Sequence, residues 1–294
     1  MPSSDLMQRF LFDNTDIRGE IVTLSDSYQQ VLENNQDLPV QVQALLGEFV
    51  AAVSLLSSTL KFDGILTLQA RGDGPLPLIM AECSHHKALR AIARPNPEVD
   101  FDALEGKDLK ALMGDGMLAI IIDPDKGERY QGIVPLDSDN LAGCLQHYFD
   151  QSEQLPTRFW LTCDEHAATG LMLQALPQQL ASGEENEEHW NTALQLANTV
   201  KDEELLTLEH SEILYRLFHE EQIRLFDPVA VRFECSCSRE RSANALTSLG
   251  RAEVESLLAE QDVISIDCQF CNQTYAFGPQ DLDGLFGDNE HSLH

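Results

Sequence analysis

The chain runs to 294 residues, a length that suggests two domains with a connecting segment. Its 19 Lys and Arg stand against 49 Asp and Glu, a formal charge of −30. Such a surface repels nucleic-acid phosphates and anionic lipid headgroups, so neither nucleic acid nor membrane is expected as a partner. Seven cysteines are too few for a disulfide-stapled secreted scaffold of this size, and reduced thiols inside a cell are the expectation.

The opening residues, Met1-Pro2-Ser3-Ser4-Asp5, lack the basic start and apolar run of a signal peptide, which reads as a cytoplasmic protein. Residues 17–24 form a β-rich run, after which Ser25 or Ser27 can cap a helix through Leu32. Pro39 suits a first helical position. From there Leu45, Leu46, Phe49, Val50, Val53, Leu56 and Leu60 recur at helical spacing. That apolar stretch is interrupted by Glu48 and several Ser and Thr, so it reads as a core helix and not a membrane span. Two Gly-Asp-Gly units, at 72–74 and 114–116, each precede an apolar run. Asp-Gly between strand-like runs is a hairpin signal, because glycine permits positive φ. Residues 130–135 can pair back across a turn at 123–127, and residues 159–163 and 171–176 read as further strands. Residues 1–177 are therefore expected to form an α+β domain rich in antiparallel strands, without the alternation of a doubly wound sheet.

Residues 178–224 change character, with eleven acidic residues against Lys201, Arg216 and Arg224. The polar run Ser182-Gly-Glu-Glu-Asn-Glu-Glu188 reads as an exposed linker. Beyond it Leu205, Leu206, Leu208, Ile213, Leu214, Leu217 and Phe218 favour short amphipathic helices, with Ser211 a candidate cap. Their apolar face must rest on something. Residues 225–287 form a third region with the cysteine cluster, and 288–294 a short polar tail.

In that region Cys235-Ser236-Cys237 is followed, after thirty residues with a helical pattern over 242–260, by Cys268-Gln269-Phe270-Cys271. Two close cysteine pairs, separated by enough chain to fold back, make a four-thiolate tetrahedral zinc site with one Zn2+ per chain. A module of roughly sixty residues has a marginal core of its own, and zinc ligation supplies on the order of 10–16 kcal/mol of apparent folding free energy. Four thiolates leave no open position for water, which argues against hydrolytic zinc. Two readings stay open. The zinc is purely structural, or its thiolates, the form that oxidants attack, make the fold collapse on oxidation. Arg239 and Arg241 beside the first pair would favour thiolate.

These residues carry a resemblance. Cys235-Ser-Cys-Ser-Arg-Glu-Arg241 with Cys268-x-x-Cys271 resembles the redox-regulated 33-kilodalton heat-shock chaperone family. So do Glu203-Glu-Leu-Leu-Thr-Leu, Ile213-Leu-Tyr-Arg-Leu-Phe-His-Glu-Glu221 and Tyr148-Phe-Asp-Gln-Ser-Glu-Gln-Leu-Pro-Thr157. Gly127-Glu-Arg-Tyr-Gln-Gly132, Leu60-Lys-Phe-Asp-Gly64 and Ile17-Arg-Gly-Glu-Ile-Val-Thr23 extend the match, in order, over nearly the whole chain. All four positions of the family's zinc-cysteine pattern are present. The resemblance implies an ATP-independent holdase that binds unfolding proteins under oxidative stress and is inactive while reduced and zinc-bound. It further implies that oxidation joins Cys235 to Cys237 and Cys268 to Cys271 and expels zinc. The C-terminal domain and linker then unfold, and the activated molecules form a homodimer.

Two other classes compete. One is a zinc-ribbon adaptor with constitutive zinc that binds a protein or nucleic-acid partner, opposed by the charge. The other is a thiol oxidoreductase using Cys268-x-x-Cys271, opposed by the missing βαβ context. The remaining motifs have plainer readings. Cys83, Cys144 and Cys163 are isolated buried thiols with no assigned role, and His85-His86 lies on a surface loop. His219-Glu220-Glu221 is not H-E-x-x-H, since Ile occupies position 223. Asp123-Pro-Asp-Lys-Gly127 is a turn and not a calcium loop, since Val134 holds the twelfth place. The Gly-Asp-Gly units are not phosphate loops, as neither continues into Gly-Lys-Ser/Thr. No catalytic set is identifiable, and the chain is not read as an enzyme.

Overall fold

The computed structural model describes residues 5–61, 63–104, 108–177, 180 and 183–286. Ser182 and the expected tail at 288–294 lie outside the described residues. The chain divides into two compact units, Met1–Glu234 and Cys235–His294.

The first unit opens with strands β1 (Leu6–Phe12) and β2 (Ile17–Leu24) and helices α1 (Asp26–Asn34) and α2 (Val40–Ser58). Strands β3 (Gly64–Gly72), β4 (Leu78–Ser84) and β5 (Ala88–Arg94) follow, then the short helix α3 (Leu109–Met113). Next come the hairpin β6 (Gly116–Pro124) and β7 (Tyr130–Pro135), helix α4 (Leu141–Tyr148), and the hairpin β8 (Thr157–Cys163) and β9 (Ala168–Ala175). Helices α5 (Gly183–Ala197), α6 (Asp202–Thr207) and α7 (His210–Phe218) precede three short strands, β10 (Ile223–Leu225), β11 (Val229–Ala230) and β12 (Arg232–Phe233).

Among the described residues these strands form two six-stranded sheets. One runs β10-β1-β2-β9-β8 with β11 also on β1, and the other runs β12-β5-β4-β3-β6-β7. All of their pairings are antiparallel except β12 on β5. The α+β class is as expected. Helix α2 packs on β2, β8 and β9 of one sheet and on β3, β4 and β5 of the other. Enclosed on both sides, it is buried around most of its circumference, with no single apolar stripe. Of the helices in the described residues, only α2 is long and apolar enough to cross a membrane, with a mean hydropathy of 1.5, and 78% of that window is buried.

Several local readings need correction. Pro39 does not begin α2: it precedes it as the capping residue, with an extended ψ of 145°. Ser25 holds the capping position of α1, but its side chain makes no cap bond. The Asp5 carboxylate accepts from the Ser25 and Ser27 N–H groups instead, at 2.8 and 2.9 Å. The second Gly-Asp-Gly unit is not a hairpin turn, because Gly114, at φ +68°, terminates α3. The two units face each other. Gly72 pairs with Gly116 across β3 and β6, the Gly74 N–H donates to Met113 O at 2.8 Å, and the Asp115 N–H donates to Asp73 Oδ1 at 2.8 Å. A Cβ on Gly72 would lie 1.9 Å from Met113 O, so the glycines serve close backbone approach.

The polar run read as an exposed linker is exposed, but it is helical from Gly183 onward. Ser211 does not cap α7. It lies inside that helix, whose capping position is Glu209, and the Ile213 N–H donates to Glu209 O at 3.0 Å. The apolar face of α5–α7, carried by Ala193, Leu205, Ile213, Leu214, Leu217 and Phe218, rests on the side of the first sheet turned away from α2. There it covers Phe10, Phe12, Ile17, Ile21, Leu171 and Leu173. Residues 225–234 follow as strand pairings on β1 and β5.

The second unit holds α8 (Arg239–Thr247), α9 (Arg251–Glu260), the hairpin β13 (Ile264–Asp267) and β14 (Thr274–Phe277), and α10 (Leu282–Phe286). The single helical pattern over 242–260 is two helices, broken at Gly250, whose φ of +90° a side chain would resist. Its buried core is small: Leu246, Val254, Leu258, Ile264 and Phe277.

Candidate metal centre

Cys235 and Cys237 lie on the extended segment entering α8. Ser238 caps that helix, its Oγ accepting from the Arg241 N–H at 3.1 Å. Cys268 and Cys271 occupy the β13–β14 turn. The Asn272 N–H donates to Cys268 O at 2.8 Å and the Cys268 N–H to Gln273 O at 2.9 Å, while Asn272 takes a left-handed φ of 56°. The turn thus closes on itself with both thiols on its inner side, and the four Sγ atoms lie within 4.8 Å of one another.

Across the two pairs, Cys235 and Cys268 approach to 3.6 Å and Cys237 and Cys271 to 3.4 Å. A disulfide would need about 2.05 Å, so no disulfide joins these pairs, and all four cysteines are half-buried. A tetrahedral ion with metal–sulfur bonds of about 2.3 Å has sulfur–sulfur edges of about 3.8 Å. The residues therefore fit a zinc-sized ion with small adjustments. Among the described residues no other group of three or more His, Cys, Asp or Glu ligand atoms gathers this closely.

The hydrogen bonds around the sulfurs differ. Burial alone would raise the Cys268 thiol, but the Phe270 and Cys271 N–H groups, with the Cys235 and Cys271 thiols, bring it down to about 7. Burial and the neighbouring sulfurs push Cys271 well above the ordinary thiol range, against one N–H bond from Gln273. Tyr275 on β14 places its phenol oxygen 3.1 Å from Cys237 Sγ. That contact, with burial, pushes the phenol up to about 12.

Arg239 and Arg241, read from sequence as promoters of thiolate, also brace the local backbone. Arg239 donates to Ala276 O at 2.6 Å and to Asp281 at 2.9 Å, with its guanidinium 4.4 Å from the Phe277 ring centre. Arg241 donates to Ser236 O and Oγ at 2.9 and 2.7 Å, fixing the short loop between Cys235 and Cys237.

The other candidates lie in the first unit. Cys83 and Cys144 are fully buried and Cys163 is half-buried. Burial pushes Cys83 and Cys163 up to about 12 and raises Cys144, so all three are poor nucleophiles. His85 and His86 take left-handed conformations in the turn between β4 and β5. The two point apart, His85 to Asp125 at 3.1 Å and His86 Nδ1 to Ser57 O at 2.7 Å. Of the expected turn at 123–127, Asp123 and Pro124 are the end of β6, paired with β3, and only residues 125–127 lie in the β6–β7 turn, while His219-Glu220-Glu221 follow the end of α7. Sequence reasoning missed Tyr275. Four residues beyond Cys271 on a strand, it carries no short-range signal of contact with Cys237.

Fold and site together define an α+β protein that carries a four-cysteine cluster able to hold a metal ion. The profile of the Hsp33 protein family matches residues 5–278. The 33 kDa chaperonin of Ectopseudomonas mendocina is 55% identical over 286 residues, 96% of this chain and 95% of that one. The 33 kDa chaperonin of Pseudomonas aeruginosa (strain LESB58) is 53% identical over 289 residues, 97% and 96% of the two chains. The crystal structure of the 33 kDa chaperonin from Thermotoga maritima has the same fold, with a TM-score of 0.81 at 23% identity, over 96% of this chain and 97% of that one. The class is that of the heat-shock chaperones, which are not enzymes. Within it, this chain belongs to the Hsp33 family.

Proposed function

We propose that the protein is a cytoplasmic, ATP-independent holdase whose resting form is reduced and zinc-bound and whose active form is oxidised. The observation that carries this is the gathering of the Cys235, Cys237, Cys268 and Cys271 sulfurs within 4.8 Å of one another. A bound zinc ion would hold the four sulfurs as thiolates and tie the β13–β14 turn to the segment ahead of α8. The core behind them is five buried residues, too small to hold a module of about sixty residues alone. Pairing Cys235 with Cys237 and Cys268 with Cys271 removes every ligand at once, and this unit loses its fold.

Residues 178–224 act in this reading as a linker that opens when the region at 225–287 unfolds. Their helices cover a continuous apolar surface that includes Phe10, Phe12, Ile21, Leu171 and Leu173. Uncovering it supplies a face for unfolding client proteins and for a second copy in the active homodimer. No nucleic acid or membrane is a partner in this scheme, in keeping with the −30 charge.

The test is zinc content and suppression of citrate synthase aggregation on one sample, before and after peroxide with mild heating. About one zinc per chain should leave as client protection appears, and thiol reductant should reverse the protection. Zinc that stays bound, or leaves with no gain in protection, rules the switch out.

A further inference from the structure

We propose that Tyr275 is a positioning residue of the switch, its phenol O–H donating to Cys237 Sγ and holding that sulfur back from electrophiles. The inference rests on the four-thiolate reading above. The oxygen stands 3.1 Å from the sulfur. While Cys237 is a thiol, either atom can donate. A metal-bound thiolate has no proton, so the phenol must then be the donor.

The ring cannot easily turn away. Tyr275 pairs with Ile266 across the β13–β14 hairpin and packs against the small core around Phe277. Its neighbour Ala276 is held through its carbonyl by Arg239. The ring body lies in apolar surroundings and the hydroxyl is aimed at the sulfur, the usual division for a tyrosine. The turn supplies Cys268 and Cys271 with backbone N–H donors, from Phe270, Cys271 and Gln273. Those bonds come with the chain path, whereas the bond to Cys237 comes from a side chain and can be set independently of the fold. Outer-shell donors of this kind tune metal–thiolate centres.

Peroxide is the co-reactant in the step affected. The Cys237 thiolate attacks the O–O bond, forming sulfenic acid and releasing hydroxide. A second cysteine thiolate then attacks the sulfenic sulfur, forming the disulfide and releasing a second hydroxide. Two thiolates lose two electrons and one peroxide gains them. A hydrogen bond from Tyr275 draws electron density from the Cys237 sulfur and lowers its nucleophilicity, so Tyr275 slows the first step at Cys237.

The experiment uses the full-length, reduced, zinc-loaded protein and its Tyr275→Phe variant, with zinc stoichiometry and circular dichroism checked first. Each is treated with limiting iodoacetamide, and labelling rates at the four cysteines are read by peptide mass spectrometry. Loss of one hydrogen bond to a charged group should speed labelling of Cys237 roughly tenfold, with the other three within about twofold. An unchanged rate at Cys237, or equal acceleration of all four, overturns the proposal. If the variant fails to retain zinc, cadmium-113 NMR of the wild-type protein decides. A Tyr275 hydroxyl proton in slow exchange and coupled to the metal through Cys237 supports it, and one exchanging freely with water overturns it. Alkylation needs no oxidant, so this result stands apart from the switch. Wild-type protein that gains no client protection with peroxide would sink the switch and leave the Tyr275 bond untouched.

Discussion

Two titratable groups outside the cysteine cluster, buried His210 and half-buried Glu48, bend stability with pH in opposite directions. His210 Nε2 lies 3.0 Å from Thr23 Oγ1, and burial pulls its imidazole down from 6.5 to about 4. Between those values the unfolded chain binds a proton that the folded chain does not. Its contribution is therefore full above pH 6.5 and is lost as pH falls towards 4. Burial, and then Asp202, push the Glu48 carboxyl up from 4.5 to about 7. Here the folded chain holds the proton, so stability drops as pH rises through that window and the cost stands above pH 7. The two slopes oppose each other between pH 4.5 and 6.5. Glu48→Gln should therefore match the wild type near pH 4.5, exceed it by about 1–3 kcal/mol at pH 8, and show the uncovered rise due to His210. Urea unfolding across this range checks it, and parallel curves for the two proteins would contradict it. Neither group was visible in the sequence, because a burial shift depends on what packs over a residue. The four clustered cysteines were legible for the opposite reason: C-x-C and C-x-x-C bring pairs of sulfurs together within a few bonds of chain. Only the meeting of the two pairs needed the fold. Tyr275 needed both the β13–β14 register and the turn.

Helix α7 is held by aromatic contacts more than by its own length. The Phe218 ring meets Phe12 edge-on at 4.9 Å and Phe10 at 6.0 Å, at the centre of the apolar layer under α5–α7. Nine residues are too few for a stable isolated helix, so α7 depends on this docking. Phe218→Ala leaves a cavity where the ring was, at about 3–5 kcal/mol. Trypsin should then cut faster after Lys201 and Arg216 in the reduced protein. If the covered sheet face is the client surface, some aggregation suppression should appear before any oxidant. Faster cutting without protection would place the client surface elsewhere. At this scale legibility followed the range of the forces. Strands β2 and β7 were readable to the residue, because a run of β-favouring residues and a turn sequence act locally. The short pieces β10–β12 gave no such signal, being strands only because β1 and β5 offer them free edges. The glycines of the two Gly-Asp-Gly units carried a tertiary meaning that looked local: 42 residues apart, Asp73 and Asp115 cross-bond.

At the scale of the whole molecule, two units with different sources of stability share one chain and one charge. The first encloses α2 between two sheets and has a large core, while the second has, among its described residues, five buried apolar residues and four clustered thiols. A zinc chelator of high affinity, added to the reduced protein, should abolish one calorimetric transition and leave the other within a few degrees. Loss of both together would mean that the first unit relies on the metal as well. In the proposed switch, the charge would act on the opened linker. Glu184, Glu185, Glu187 and Glu188 are exposed along the first turns of α5, within a segment of three basic and eleven acidic residues, a balance of 3 − 11 = −8. A chaperone that uncovers apolar surface risks precipitating with its client, and like charge on the uncovered segment opposes that association. Screening limits the effect to roughly 8 Å at physiological salt, so it acts between surfaces already close to contact. Replacing all four glutamates by glutamine keeps the helix propensity and size nearly unchanged while removing four charges. Oxidised complexes of this variant with citrate synthase should scatter more light than wild-type complexes at low salt, and the gap should close as salt rises. Equal scattering at all salt concentrations would show that the acidic run has no part in keeping client complexes dispersed.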